Sequence, residues 1–487
     1  MSAPRLSTKT LAHAEAALPG YDREQAGIGI VHFGPGAFTR AHQAVYTDDA
    51  MARSGGDWGI CAVSLNSARA KRALVPQDGL YTLAIRDVAR SERVVGAIRR
   101  VLFADEDRAE IEDVLAAPAT RFVTLTITEK GYAVDGAGRL DLGNAMIRAD
   151  LDAPDSPTSA MGFIVQAARR RLSDGADPLT VISCDNLPEN GARLRAACSD
   201  LAAEMGEPAL SRHIRRDMRF PNTMVDSITP ATDGAVLDAV EAAIGLRDEA
   251  AVQREAFAQW VIEDDLPQHR PDWAGAGAII TADVHAYENT KLRILNGAHS
   301  TLTYLGLLAG FASVGEAVAD PTLRAFVDAL IRQETIPTIE APDGLDLHDY
   351  WAATLARFDN PYIEHRLEQI SHDGSQKIPA RILPVIAHHG ERARRAAFVA
   401  GAWTEWTRAR RLSGTPPTDG WLSDNAALLP DPSLPSSEYA AAMLDVRAVF
   451  PDDMPRDAVV QAASAIAEHG VLRAIDTLTQ TDRAPSP

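Results

Sequence analysis

The feature that most constrains the fold is a short apolar run that leads directly into two glycines. Ile28–Phe33 is predicted to be a buried strand, Gly34-Pro-Gly36 follows at once, and a helix-compatible run begins at Ala37. Glycines at such a turn let the backbone bend tightly and approach a pyrophosphate, which also meets the first amides of the next helix. The third glycine of the full motif is missing, because that position is Thr39. The motif alone fits a tight structural turn equally well, and the strand–turn–helix context favours a cofactor loop.

The pattern of strand and helix signals along the chain changes near residue 285. Before it, strand candidates alternate with helical patterns: Trp58–Leu65, Arg108–Ala117, Phe122–Thr128, Met161–Leu172 and Leu179–Ser183. Such alternation indicates a parallel sheet covered on both faces. After it, helix formers with 3.6-residue apolar spacing dominate. We therefore predict an α/β protein with a Rossmann-type parallel-sheet domain over 1–285 and a mainly α-helical domain over 286–487.

Two stretches are predicted to lie outside these regular elements. Residues 1–26 are expected to form a polar lead-in. Arg411–Pro432 is rich in Pro, Gly, Ser and Asp, and is predicted to be an exposed loop.

Composition narrows the class of partner. The net charge of −19 disfavours a nucleic-acid role, although a few cations inside one pocket can still bind an anionic small molecule. The cysteines Cys61, Cys184 and Cys198 show no disulfide or zinc spacing, and the N-terminus lacks the apolar core of a signal peptide. The most apolar stretch, Leu302–Phe311, is too short to cross a bilayer. We expect a cytoplasmic protein without a membrane partner or a metal.

Lys291, Asn296 and His299 form the strongest cluster of chemically useful residues in the sequence. In a regular helix, at about 100° per residue, they line one broad face. Oxidation of an alcohol needs a base for the hydroxyl proton and donors for the developing oxyanion. A desolvated lysine can accept the proton, and an amide can donate to the oxygen. The spacing alone fits equally well an ordinary helix with a surface lysine, a capping asparagine and a core histidine.

Several motifs together carry a family resemblance. They are Ile30–Phe38, Arg40–Gln43, Thr126–Tyr132, Ser183–Pro188, Trp260–Asp264 and Lys291–His299. With these motifs the chain resembles the polyol-specific long-chain dehydrogenases, the mannitol dehydrogenase family, roughly from residue 28 to residue 450. Thr39 departs from the histidine that many members carry there.

The resemblance implies catalytic roles for five residues. Lys291 would be the general base for alcohol oxidation and the general acid for ketone reduction. Asn186 and Asn296 would form the pair that stabilises the oxyanion. His299 would orient the lysine and contact the substrate, and Glu288 would relay protons to solvent.

Cofactor and substrate contacts are also implied. Gly34, Gly36 and Phe38 would lie against a nicotinamide dinucleotide, and Asp226 would lie near substrate hydroxyls. The end of the second strand carries no carboxylate to bind the ribose hydroxyls, so Arg69 could accept a 2′-phosphate. A solvated basic helix start is the slightly favoured interpretation of Arg69. We expect NAD as the cofactor, with NADP still open.

The segment Gln369–Arg381 separates two substrate classes. Its pattern resembles the fructuronate reductase (D-mannonate oxidoreductase) branch of the family. Lys377 and Arg381, with Arg366 upstream, could present positive charge to a substrate carboxylate, and surface cations are the alternative. The expected substrate is therefore a sugar acid, D-mannonate or D-fructuronate, and the alternative is a polyol such as mannitol, arabinitol or sorbitol. A non-catalytic dinucleotide sensor is less favoured, and the expected assembly is a monomer or a small homo-oligomer.

Overall fold

The structure is a computed structural model that describes residues 3–134, 139–362, 365–452 and 454–483. The chain separates into two compact units, Met1–His285 and Ala286–Pro487. Each unit has its own buried core, so each is described by itself below.

The first unit contains all the described strands. In chain order they are β1 (Ile28–Phe33), β2 (Gly59–Ser64), β3 (Tyr81–Ile85), β4 (Ser91–Val95), β5 (Ile98–Phe103), β6 (Phe122–Leu125), β7 (Thr180–Ser183), β8 (Thr223–Asp226), β9 (Val252–Arg254), β10 (Gln259–Glu263) and β11 (Ile279–Thr281).

A parallel sheet in the order β5-β2-β1-β6-β7 forms the centre of this unit, counted over its described residues. Its strands are buried on both faces. In β1, Val31 and Phe33 belong to one core cluster and Ile30 belongs to another. This double burial explains why the strand sequences are nearly continuous apolar runs. The predicted Rossmann-type sheet is confirmed.

The helices of the first unit are α1 (Ala37–Ala41), α2 (Gln43–Ser54), α3 (Arg69–Leu74), α4 (Ala104–Ala116), α5 (Ala145–Asp152), α6 (Ala160–Asp174), α7 (Asn190–Glu204), α8 (Pro208–Arg216) and α9 (Gly234–Ile244). Short 3₁₀ turns cover Leu11–His13, Val75–Gln77 and Glu129–Tyr132. Helix α6 shows why the boundaries fall where they do. The Ser159 side chain accepts a hydrogen bond from the amide of Gly162, and Gly175 ends the helix in a left-handed conformation.

Some elements of the first unit were not predicted. Strand β5 carries Arg99 and Arg100 at the edge of the sheet, and these charges hide its strand pattern. Two small mixed sheets, in the orders β11-β10-β8 and β4-β3-β9, are built from strands of only three to five residues. The polar lead-in also packs on the unit, because Leu6 is fully buried there.

The second unit is mainly helical, as predicted. Helix α10 (Val284–Thr290) carries the chain into it, and the later helices are α11 (Asn296–Ala309), α12 (Val314–Ala319), α13 (Pro321–Ala329), α14 (Leu347–Phe358), α15 (Leu367–Ile370), α16 (Gly374–Arg381), α17 (Leu383–His389), α18 (Arg394–Leu412), α19 (Gly420–Asp424), α20 (Ser436–Met443), α21 (Arg456–His469) and α22 (Val471–Arg483). Two π-helical turns, Lys291–Leu295 and Leu330–Thr335, and three 3₁₀ turns, Ile336–Thr338, Gly390–Arg392 and Ala426–Leu428, complete it.

The predicted exposed loop at Arg411–Pro432 is partly wrong. It contains α19, whose N-cap Asp419 is buried. The Asp419 carboxylate accepts hydrogen bonds from the Ser375 amide at 2.8 Å and the Ser375 hydroxyl at 2.7 Å. Asp419 therefore anchors the first turn of α16, the helix that carries Lys377 and Arg381. The composition predicted a loop, because composition does not show that one polar side chain will hydrogen-bond to the first turns of two helices.

Candidate active site

The glycine turn lies at the carboxyl ends of the central strands. The chain runs from β1 to β2 on one side and returns to β6 on the other, so a crevice opens between β1 and β6. Gly34 follows β1 with φ +91°, and its amide donates to the Val63 carbonyl at 2.9 Å. A Cβ at this position would lie 2.1 Å from the carbonyl oxygen of Thr126. Only glycine therefore fits at residue 34, for a reason internal to the fold.

Gly36 differs, because no described residue lies close enough to exclude a side chain at this position. It is the N-cap of α1 with an ordinary φ of −69°. A Cβ there would meet no described atom closer than the Gly34 carbonyl oxygen, at 3.9 Å. Gly36 lines a cleft of about 650 Å³ in the first unit. The empty space at Gly36 therefore matches what a closely approaching ligand needs.

A buried histidine, His32, supports the glycine turn through hydrogen bonds. The ring of His32 contacts Thr124 Oγ1 at 2.7 Å through Nδ1, and through Nε2 it contacts Thr126 Oγ1 at 3.0 Å and the Gly34 carbonyl at 3.2 Å. Burial lowers the pKa of His32 to about 4, so the ring is neutral near pH 7. The Thr39 hydroxyl approaches Nδ1 at 3.5 Å. Thr39 is thus part of this buried network beside the turn.

The wall of the cleft near β2 is polar and basic. Asn66, Ser67 and Arg69 line this wall. Among the described residues that line the cleft, the acidic one is Glu249, which comes from another part of the unit. Arg69 is exposed, and its amide donates to the Ser67 hydroxyl at 3.2 Å. Phe38 stacks on the ring of His42 at 5.0 Å and is not among the described residues that line the cleft.

Two further predicted residues lie at strand ends of the first unit. Asn186 is exposed and follows β7 in the turn that leads to α7. Asp226 is the last residue of β8 and is buried, at 5% exposure.

Lys291 lies in a π-helical turn and not in the regular helix on which the spacing argument depends. The amide of Asn296 donates to the carbonyl of Lys291, an i to i+5 bond, and α11 continues from Asn296. The π turn changes the angular spacing between Lys291, Asn296 and His299, and such turns are frequent at functional sites. The Lys291 side chain is buried, at 8% exposure. The surface-lysine alternative therefore does not describe this residue.

His299 lies in α11 among aromatic rings and cations of the second unit. Its ring lies 4.6 Å from Phe358 and 5.4 Å from His365, between centroids. Its Nε2 atom is buried without a hydrogen-bond partner in the described part of the chain. Burial, followed by the charges of His365, Arg357, Arg381 and Lys291, holds the pKa of His299 well below its usual value. His299 is therefore a neutral imidazole near pH 7.

Helix α16 places two of the predicted cations one turn apart. Lys377 Nζ donates to the Ile370 carbonyl at 3.1 Å. Arg381 Nη1 donates to the Asn296 carbonyl at 3.3 Å and approaches Ser300 Oγ at 3.1 Å, so this guanidinium lies against the start of α11. Burial lowers the pKa of Arg381 to about 10. No carboxylate among the described residues forms an ion pair with it.

The remaining two predicted residues, Arg366 and Glu288, lie on other helices of the second unit. Arg366 is exposed at the N-cap of α15, and Glu288 is half-buried in α10. The described residues include no helix that could span a membrane and no group of potential metal ligands.

Comparison with known proteins agrees with both units. The family model of the mannitol dehydrogenase Rossmann domain matches residues 28–275, and that of the mannitol dehydrogenase C-terminal domain matches residues 283–469. The chain is 38% identical to the D-mannonate oxidoreductase of Escherichia coli (strain K12) over 95% of this chain and 98% of that protein.

Two solved structures share the fold. One is the Pseudomonas fluorescens mannitol 2-dehydrogenase in ternary complex with NAD and D-mannitol, with a TM-score of 0.82 and 35% identity over 98% of this chain and 99% of that one. The other is a substrate-free D-sorbitol dehydrogenase, with a TM-score of 0.84 and 32% identity over 97% and 100%. The fold is that of the mannitol dehydrogenase oxidoreductases. The chain belongs to the mannitol dehydrogenase family.

Proposed function

We propose that this chain is an NAD(H)-dependent dehydrogenase that interconverts D-mannonate and D-fructuronate. Family membership supports a dehydrogenase acting on a carbinol group, and the similar mannitol 2-dehydrogenase was solved with NAD. The similarity to D-mannonate oxidoreductase supports a sugar acid. The observation that carries the choice of substrate is the half-buried, partly desolvated guanidinium of Arg381, which has no carboxylate partner among the described residues.

The cleft of the first unit suits a dinucleotide. Gly36 leaves room for close approach of a pyrophosphate, and Gly34 makes the tight turn that brings Gly36 to the cleft. Arg69 and the absence of a carboxylate at the end of β2 leave a 2′-phosphate acceptable, so NADP remains the second candidate. Bound NAD⁺ supplies the hydride acceptor for oxidation, and NADH supplies the hydride donor for reduction.

The protein side chains move the proton. In oxidation the carbinol carbon loses a hydride and its hydroxyl loses a proton, and Lys291 is the proposed acceptor of that proton. In reduction Lys291 returns the proton to the new hydroxyl. The amides of Asn186 and Asn296 keep their proposed role of stabilising the oxyanion, and Glu288 that of passing the proton to solvent.

A neutral His299 fits the orienting role. A charged imidazole would repel a lysine ammonium, whereas a neutral ring can accept or donate one hydrogen bond. Its lowered pKa means that the ring of His299 is neutral near pH 7.

Arg381 and Lys377 are the proposed contacts of the substrate carboxylate, and Asp226 is proposed to contact its hydroxyls. Burying a guanidinium without an acid partner costs free energy that a bound carboxylate can offset. A polyol, which has no charge, offers no such compensation. Arg366 is exposed, and we propose that it contributes less than Arg381 to attracting the substrate carboxylate.

A polyol dehydrogenase is the second candidate function. It is favoured by the similarity to mannitol 2-dehydrogenase and D-sorbitol dehydrogenase. A non-catalytic dinucleotide sensor is third, and the presence of Lys291, Asn186, Asn296 and His299 argues against it.

A comparison of kcat/KM for D-mannonate and D-mannitol with NAD⁺, and for D-fructuronate and D-fructose with NADH, tests the proposal. We expect faster turnover of the two sugar acids. Faster mannitol oxidation would make the polyol function correct. No change in NADH absorbance with any of a panel of polyols and sugar acids would support the sensor.

A further inference from the structure

The cleft wall after β6 contains a backbone conformation that needs support. Thr126, Ile127, Thr128 and Gly131 line the cleft. Thr128 has φ +63°, although it is a β-branched residue. Such residues rarely adopt the left-handed region, because the conformation is strained and other contacts must hold it.

A single carboxylate holds this wall. Asp185 Oδ1 accepts the amide of Thr128 at 2.9 Å, and Oδ2 accepts the amide of Ile127 at 3.0 Å and the hydroxyl of Tyr132 at 2.8 Å. Burial raises the pKa of Asp185, and the hydrogen bonds from Ile127, Tyr132 and Thr128 act in the opposite direction. The three donors therefore compensate the partial desolvation of this half-buried carboxylate.

The same residue belongs to the turn that carries Asn186. The Asp185 carbonyl accepts a hydrogen bond from the side chain of Asn190 at 3.0 Å. The Asn190 side-chain oxygen in turn accepts the amide of Thr223 at 2.9 Å. The backbone on which Asn186 stands is thus fixed to β8, while the adjacent side chain fixes the cleft wall.

We propose that Asp185 is a positioning residue that couples the cofactor cleft wall at Ile127–Thr128 to the placement of Asn186. This inference rests on the proposed function for its second half, since Asn186 acts on the substrate only if the chain is a dehydrogenase. The first half, support of the cofactor wall, stands without any turnover.

The test variant is Asp185→Asn. It keeps the shape of the side chain, but either orientation of the amide sets an NH₂ group against a backbone N–H of Ile127 or Thr128. We expect faster hydrogen exchange at those two amides and a Kd for NAD⁺ that rises about tenfold, the effect of losing one charged hydrogen bond. Tyr132→Phe removes only one donor and is expected to shift both readouts in the same direction by less.

A double-mutant cycle tests the coupling to Asn186. Asp185→Asn is expected to lower kcat in the wild-type background and to lower it little further in an Asn186→Ala background, while the rise in the NAD⁺ Kd persists in both. Asp48→Asn is the control, because Asp48 is a buried carboxylate that accepts the Gly96 amide and the Tyr21 hydroxyl, both at 2.8 Å, and is not among the described residues that line the cleft. This control is expected to change thermal stability and to leave the Kd for NAD⁺ unchanged.

Three outcomes overturn the inference. One is an unchanged NAD⁺ Kd with unchanged exchange at Ile127 and Thr128 in Asp185→Asn. Another is fully additive effects of Asp185→Asn and Asn186→Ala on kcat, and the third is a Kd shift in Asp48→Asn as large as that in Asp185→Asn. Failure of the proposed function is distinguishable, because it would abolish turnover of the sugar acids in the wild type while the binding and exchange readouts remain measurable.

Discussion

The glycine-turn cleft of the first unit and the lysine segment of the second unit are built by different means. The shape of the cleft depends mainly on the backbone of two glycines and of the strand ends. The neutral ring of His32 supports this backbone through hydrogen bonds to two hydroxyls and a carbonyl. The lysine segment depends on side chains, with buried Lys291 in a π turn and the guanidinium of Arg381 against the start of α11.

This difference predicts how each region fails. A change of backbone shape in the cleft should weaken cofactor binding, whereas loss of one side chain in the lysine segment should lower kcat or raise the KM for the substrate and leave the fold intact. Substitutions that separate binding from turnover therefore test the comparison directly.

Lys291→Ala is expected to have the largest effect. Loss of a general acid–base group lowers kcat by about 10² to 10⁴-fold. The Kd for NAD⁺, measured by fluorescence titration, should stay at the wild-type value, because the lysine belongs to the other unit. Exposed Lys9→Ala is the control and should keep full turnover. Near-wild-type kcat in Lys291→Ala at neutral pH would remove the lysine mechanism.

The two glycines form the next prediction. Gly34→Ala places a side chain on a positive φ and against the Thr126 carbonyl, so we expect a lower Tm and a Kd for NAD⁺ raised about a hundredfold. In Gly36→Ala the new methyl group meets no close atom of the described residues, so the Tm should be unchanged while the Kd for NAD⁺ still rises. Equal Tm losses in both variants, or an unchanged Kd in Gly36→Ala, would contradict the assignment.

The neutral state of His32 predicts a pH dependence of stability. Its pKa is about 4 in the folded chain and about 6.5 when unfolded, so between these values only the unfolded chain takes up the proton. The free energy of unfolding is unaffected above about pH 6.5 and falls as the pH drops, by about 2 kcal/mol at pH 5 from this residue. Urea denaturation of wild type and His32→Gln at pH 7.5 and 5 measures the difference. An identical pH dependence in both proteins would show that His32 does not contribute.

Arg381→Ala is expected to have the smallest effect of the four. Loss of a charged hydrogen bond to the substrate carboxylate should raise the KM for D-mannonate about tenfold. The hydrogen bonds of Arg381 to Asn296 and Ser300 are lost with any substrate, so turnover of D-mannitol reports that structural part. An equal loss for both substrates would make Arg381 a support of α11 and no determinant of substrate class.

Local patterns predicted much of the first unit. The strand at Ile28–Phe33, the turn after it and the parallel sheet followed from buried apolar runs that alternate with helices, because a sheet covered on both faces requires such runs. Strand β5 was missed, since its edge position tolerates Arg99 and Arg100. The assignments of Asn186, Asn296, His299 and Glu288 came from the family motif and remain proposals.

Other features depend on residues far apart in the chain. Asp185 is adjacent to Asn186 in sequence, yet its role appears only when β6 and β7 lie side by side and bring Ile127 and Thr128 to its carboxylate. Asp419 supports α16 from a segment whose composition predicted a loop.

By itself, the sequence determined the α/β class, the glycine turn and the presence of a lysine, asparagine and histidine in one helical segment. These depend on short-range spacing and on which residues can be buried. The tertiary structure decided that a π turn interrupts the regular helix at Lys291 and that His32 and His299 are neutral. It also decided that Arg381 is half-buried without a carboxylate partner among the described residues. Desolvation and long-range hydrogen bonds set these properties, and both exist only once distant parts of the chain are packed together.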